Sequence, residues 1–182
     1  MKLVVALSGQ VGAGKTTIAR AIAKKFNLRY VSSGSLFRSI ARELGVDLHT
    51  FHKMAEEDSK YDIMIDRRAI EEAKKGSVVV EGHLAAWVLR DIADVKILLT
   101  APLRIRAERI ARRDRISIEA AISDIELRER SNKRRCKEYY GLDMDDWSIF
   151  DLIIDTSKLP ATGIVKVIET YIHEYLRVHR KG

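Results

Sequence analysis

The stretch Gly9-Gln10-Val11-Gly12-Ala13-Gly14-Lys15-Thr16 constrains this chain more than any other feature. It satisfies the pattern GxxxxGK[ST] in full. It lies between an apolar run, Leu3 to Leu7, and a segment in which Ile18, Ile22 and Phe26 recur every four residues. Strand, glycine-rich loop and helix, in that order, are the setting in which such a loop binds phosphate. Glycines let the backbone take positive φ and come close to the ligand, so that consecutive N–H groups and the helix N-terminus surround an anion. Lys15 adds a full positive charge at the β/γ bridge of a triphosphate, the Thr16 hydroxyl is placed to ligate Mg2+, and Thr17 follows in the first helical turn. A nucleoside triphosphate, ATP with Mg2+, is the expected ligand of residues 9–17.

Strand and helix patterns alternate along the rest of the chain, which is the mark of a parallel sheet covered by helices. A short strand at about Arg29 to Ser32 leads into Ser33-Gly34-Ser35 and a helix carrying Leu36, Ile40 and Leu44, closed by Gly45. Between Asp47 and Lys75 the spacing is helical and heavily charged, with no strand, so this segment reads as an insertion projecting from the sheet. Val78 to Val80 and Val95 to Leu99 have the strongest β-branched and aliphatic content, and Asp151 to Asp155 reads as a fifth strand. From Leu103 to about Lys137 the chain is helical and densely basic, interrupted near Asp114 to Ser117. Pro160 onward forms a closing helix with Ile164, Val167, Ile168 and Ile172 on one side. The expected class is α/β, with one domain over residues 1–182.

A length of 182 residues suits one such domain. The single cysteine, Cys136, permits no internal disulfide, which fits a reducing cytoplasm. The opening apolar run stops at Ser8, too short for a signal peptide, and no stretch approaches the roughly 20 apolar residues that span a bilayer. No membrane role is expected. The net charge of +7 points to an anionic partner, either nucleic acid or small phosphates. Trp87, Trp147 and the tyrosines form no regular series with the basic residues of the kind that stacks single strands, so small nucleotides are the expected partners and nucleic acid is not.

A phosphate loop alone suits a GTPase switch, a motor or a small-molecule kinase. The chain has no Asn-Lys-x-Asp element of the kind GTPases use to read the base. Its strand Val78 to Val80 ends in Glu81-Gly82 rather than the Asp-Glu common in motors. Small kinases remain, and here the sequence resembles the cytidylate kinases, most closely their compact archaeal type. The resemblance is carried by Ser33-Gly34-Ser35-Leu36-Phe37-Arg38, Glu81-Gly82-His83-Leu84-Ala85-Ala86-Trp87, Arg128 to Arg135, and Tyr139-Tyr140-Gly141-Leu142-Asp143. It implies a P-loop kinase fold, a five-stranded parallel sheet flanked by helices, with a monophosphate-binding insertion at about 33–75 and a lid at about 112–137. It implies transfer of the γ-phosphoryl group of ATP to CMP or dCMP; a monomer is the expected state. It places Arg38 on the acceptor phosphate and Ser33 near the nucleoside, with Gly34 between them in the same element, and phosphate-binding arginines at Arg112, Arg128 and Arg135.

The physics of the transfer explains why arginines are wanted. A monophosphate is already largely an oxyanion at neutral pH, with a second pKa near ~6, so no general base is needed and charge neutralisation carries the reaction. Guanidinium forks bridge the oxygens of two phosphates that would otherwise repel. Arg109, Arg112 and Arg113 recur on the Leu103 to Asp114 helix, and Arg128 and Arg135 lie seven apart on the next. Cytosine offers one amine and two acceptors, and Asp62, Asp66 and Arg67 of the insertion supply a matching set. The chain departs from the family at His83, where a phosphate-binding arginine is expected, and at Asn132, where bacterial members have an aspartate. A neutral imidazole donates one hydrogen bond where arginine offers a fork, and an amide turns either way. A kinase for AMP, UMP or dTMP preserves every phosphate contact and stays open, as do a hydroxyl-phosphorylating relative of the shikimate type, using Glu81 as base, and an adenylate-kinase-like ATPase acting on RNA or ribosomal particles.

Gln10, Asn27 and Asn132 are the only side-chain amides, beside abundant Lys, Arg and Glu, a composition typical of proteins from hot-growing organisms. The expected outcome of scanning calorimetry is a melting midpoint above about 60 °C, beyond the mesophile range, and a lower one removes this reading.

Overall fold

A computed structural model describes residues 2–179, without the side chains of His52, Glu56 and Arg135. The chain runs β1 (Val4–Gly9), α1 (Lys15–Lys25), β2 (Arg29–Ser32), α2 (Ser33–Glu43), α3 (Leu48–Glu57), α4 (Lys60–Lys74), β3 (Val78–Glu81), α5 (Ala85–Val88), β4 (Val95–Thr100), α6 (Leu103–Asp114), α7 (Ile118–Tyr140), β5 (Leu152–Asp155) and α8 (Ala161–His179). The strands form one parallel sheet in the order β2-β3-β1-β4-β5. All five expected strands are present, and the fold is that of a P-loop kinase. The short helix α5 had no counterpart in the sequence reading, because four residues are too few to show a helical period.

Every residue of β1 is buried, as befits a central strand covered on both faces. Alternation divides its side chains. Leu3, Val5 and Leu7 join Val79, Ile97 and Leu99 under α1 and α8, against Ile18, Ile22, Ile164, Ile168 and Ile172. Val4 and Ala6 join Val78 and Val80 on the other face, under Leu36, Ile40, Phe51, Ile65, Ala69 and Leu89. The stripe on α8 is narrower than expected. Ile164, Ile168 and Ile172 are buried at a strict four-residue spacing, whereas Val167 is 41% exposed, one residue and about 100° off the stripe.

Residues 47–75 contain only helices, α3 and α4, as their charge and spacing implied. The basic segment beyond Pro102 is a helical hairpin. Arg115 takes φ 58 at the end of α6, and the Ser117 hydroxyl caps α7 by accepting the Ala120 N–H at 3.1 Å. Ala107 and Ile110 of α6 pack on Ala121 and Ile125 of α7, and Val11 from the loop after β1 completes that cluster. Gly141, at φ 62, ends α7. Among the described residues no helix is long and apolar enough to cross a membrane.

Candidate active site

The loop after β1 is wedged between two backbones. A Cβ on Gly9 would stand 2.7 Å from the Leu99 carbonyl oxygen of β4. One on Gly12, at φ 83, would stand 2.9 Å from that of Arg106 in α6. Neither neighbour is a flexible side chain, so only glycine fits. Val11 is then held through both of its backbone groups. Its N–H donates to Glu129 Oε1 at 3.3 Å, and its carbonyl accepts from Arg106 Nη1 at 3.0 Å. Arg106 is 4% exposed; it also donates to the Ala101 carbonyl at 2.9 Å and to Glu129 at 2.7 Å. The Gln10 side chain accepts the Ala101 N–H at 3.1 Å. A buried guanidinium with a carboxylate partner and two backbone carbonyls rigidifies its surroundings. Sequence reasoning passed over Arg106 and Glu129, since within a basic helical run nothing local distinguishes them.

Lys15 is folded back beneath the loop. Its ammonium donates to the carbonyls of Gly9 and Gln10, both at 2.9 Å, and lies 3.5 Å from His83 Nδ1. Burial lowers its pKa from 10.5 to about 8, partly opposed by the nearby Glu81 carboxylate. Glu81 ends β3 and is itself buried. Its Oε2 accepts from Thr16 Oγ1 at 3.3 Å and from the Tyr30 hydroxyl at 2.7 Å. His83 Nδ1 stands 3.2 Å from the Gly9 carbonyl, and because a carbonyl only accepts, the hydrogen belongs on Nδ1 in that contact. Thr16 and Glu81 put a hydroxyl and a carboxylate side by side, hard oxygen donors of the kind Mg2+ prefers.

Of the cavities that His83 lines, two bear on the chemistry. The first, about 550 Å3, lies over the phosphate loop and is lined by Gly12, Gly14, Lys15, Thr16, Thr17 and Glu81 on one side and by Arg109, Arg113 and Arg128 on the other. The second, about 650 Å3, is lined by Ser33, Gly34 and Arg38 of α2, Asp62 and Asp66 of α4, His83, and Ser131, Asn132, Arg134 and Tyr139 of α7. Both are of the size that holds a small ligand. Asp66 accepts a hydrogen bond from the Tyr140 hydroxyl, which ties α4 to the end of α7. Asn132 is buried.

Most of the sequence-predicted residues thus come together around these two spaces, with six exceptions. Gly9 and Gln10 line neither, their carbonyls being turned to the Lys15 ammonium. Ala13 is buried behind the loop and its carbonyl accepts from Thr156 Oγ1 at 3.0 Å. Arg112 is exposed and lines neither cavity, because the face of α6 toward the loop runs through Arg106, Arg109 or Ile110, and Arg113. Arg67 is exposed on α4, about 100° round from Asp66, and also lines neither. The Arg135 side chain lies outside the described residues. Of the arginine series on α6 the structure brings Arg109 and Arg113 to the phosphate-loop cavity, and it adds Arg134 to the second. Arg109 donates to Thr156 Oγ1 at 2.9 Å and to the Thr156 carbonyl at 2.7 Å, which joins α6 to the chain after β5. Arg113 holds both oxygens of Asp114 at 2.7 Å, and Arg128 reaches Asp124 at 3.3 Å. These exposed pairs are weak enough for an incoming phosphate to displace.

The sequence model of the cytidylate kinase-like family matches residues 4–158. A cytidylate kinase of Staphylothermus marinus is 48% identical over 175 residues, covering 96% of this chain and 99% of that protein. One of Pyrobaculum calidifontis is 49% identical over 170 residues, covering 93% and 92%. Among solved structures, shikimate kinase of Aquifex aeolicus superposes with a TM-score of 0.62 at 14% identity, over 94% of this chain and 97% of that one. At that identity the likeness is one of fold.

The state of Lys15 makes anion binding depend on pH. A triphosphate favours the ammonium, so binding above the free-enzyme pKa of about 8 requires proton uptake. The dissociation constant of ATP, measured by calorimetry, is expected to be nearly flat from pH 7 to 7.5 and to rise about fivefold between pH 8 and 9. A flat profile to pH 9 overturns the coupling of Lys15 protonation to phosphate binding.

Proposed function

The chain belongs to the cytidylate kinase-like family, and from that premise we propose that it transfers the γ-phosphoryl group of ATP to CMP or dCMP, giving ADP and CDP or dCDP. The observation that carries the reading is the meeting of two cavities at His83. One is built on a phosphate loop and the other presents Arg38 with polar groups of α4 and α7. A donor triphosphate and an acceptor monophosphate require two such spaces in contact.

In this arrangement the loop amides and Lys15 hold the β- and γ-phosphates, and Arg109, Arg113 and Arg128 face the same charge from α6 and α7. Thr16 and Glu81 would hold Mg2+ brought by the triphosphate, and the ion would neutralise phosphate charge there. Arg38 holds the acceptor phosphate in the second cavity, with Ser33 and Gly34 beside it. His83 stands between donor and acceptor and offers a single hydrogen bond where a guanidinium would offer a fork. Asp62, Asp66 and Asn132 face the acceptor's base; a carboxylate accepts the cytosine amine, and the amide of Asn132 adapts to its neighbours. Arg112 and Arg67 take no part in this arrangement. Residues 33–75 serve as the monophosphate-binding insertion and 112–137 as the lid over the phosphates. The acceptor needs no base to ionise it, which suits a site whose carboxylates lie toward the base and the metal.

The decisive assay offers CMP, dCMP, UMP, AMP and dTMP separately with ATP and Mg2+ and measures ADP. Strong preference for CMP and dCMP is expected. Preference for another monophosphate keeps the mechanism and discards the base assignment, while ATP hydrolysis indifferent to all five overturns the reading. Arg38→Ala is expected to raise the CMP KM and to lower kcat by about a hundredfold or more, because it removes a contact that strengthens as charge redistributes. An unchanged KM takes Arg38 off the acceptor.

A further inference from the structure

Glu81 and Thr16 are joined by a third residue from the far strand of the sheet. Tyr30 lies on β2 opposite Val79 of β3, two residues before the Ser32 and Glu81 pair. Side chains two apart share a face, so Tyr30 and Glu81 both point to the α1 side, where Tyr30 packs against the core. The phenol hydroxyl reaches along the sheet and donates to Glu81 Oε2 at 2.7 Å, the same oxygen that accepts from Thr16 Oγ1 at 3.3 Å. Arg20, one helical turn beyond Thr16 on α1, sets its guanidinium 5.3 Å over the centre of the Tyr30 ring. The phenol is thus fixed from above by α1 and from below by the core, and its one hydrogen is committed to the carboxylate.

We propose that Tyr30 is a positioning residue for the metal side of the phosphate site, holding the Glu81 carboxylate in the one orientation from which it accepts the Thr16 hydroxyl. This rests on the reading of Thr16 and Glu81 as the side of the site that Mg2+ occupies. The argument is geometric. A threonine hydroxyl that gives its lone pair to a cation must send its hydrogen elsewhere, and Glu81 Oε2 is the acceptor the structure provides. A carboxylate at the end of a strand turns readily about its last torsion, which is broad and two-fold. A second donor on the same oxygen, anchored on a different strand, stops that rotation. Tyr30 lines neither cavity, which separates this role from substrate contact.

The test compares ATP binding with excess Mg2+ and with EDTA, by calorimetry, for the wild type, Tyr30→Phe and Glu81→Gln. Tyr30→Phe is expected to weaken Mg·ATP binding about tenfold, as loss of an outer-shell partner does, while metal-free ATP binds as in the wild type and the melting midpoint is unchanged. An equal loss with and without metal, or no loss in either, overturns the proposal. Glu81→Gln separates the two layers of inference. If it weakens Mg·ATP binding and Tyr30→Phe does not, Tyr30 alone loses its role; if neither does, the assignment of the metal side fails with it.

Discussion

The turn between β1 and α1 has no room for a side chain on either flank, and the rest of the site is built on that. Gly9 is pressed against the Leu99 carbonyl and Gly12 against the Arg106 carbonyl, while Val11 between them is pinned by Arg106 and Glu129. A loop free to sag would scatter its amides, and an anion would have to order them on binding. Here the ordering is done by folding, so the favourable interaction with phosphate is not offset by loop entropy. The same contacts fix something larger. Val11 is buried among Ala107, Ile110, Ala121 and Ile125, so the tip of the loop is also the base of the α6–α7 hairpin. Loop and hairpin form one packed unit.

That unit concentrates positive charge, and the structure shows how the free protein tolerates it. Lys15 lies against two carbonyls, and Glu81 opposes the effect of its burial. Arg113 and Arg128 are paired with carboxylates of their own helices at the surface, where such pairs contribute little and exchange easily. Arg106 is different. It is buried, and removing Glu129 would leave its charge without a counter-ion at large cost, so this pair behaves as a structural joint while the exposed pairs are free to exchange.

The phosphate loop, the strands and the all-helical insertion were legible in the sequence because each is written in neighbouring residues, as a glycine pattern, an apolar run or a helical period. The arginines were legible only as a group. Arg112 and Arg113 are adjacent in sequence and about 100° apart on α6, and only the packing of Ala107 and Ile110 decides which one turns to the loop. Arg106, Glu129 and Tyr30 could not be found, since their roles depend on partners far along the chain: Arg106 on Val11, 95 residues away, and Tyr30 on Glu81, 51 away. The same limit applied to Arg67 and Asp66, neighbours on α4 of which one faces the acceptor cavity and the other faces out.

The helix α7 shows why donor and acceptor spaces can be held in fixed relation without a rigid lid over both. Arg128 lines the phosphate cavity, Glu129 grips the loop, and Ser131, Asn132 and Arg134 line the acceptor cavity. One helical turn, about 5.4 Å, therefore separates groups that face the donor from groups that face the acceptor. The far end of the helix is tied to α4 by Tyr140 and Asp66, so the residues that line the second cavity hang on the same rod as those that line the phosphate-loop cavity. A single backbone, whose pitch hardly varies, sets the distance across which the phosphoryl group must pass.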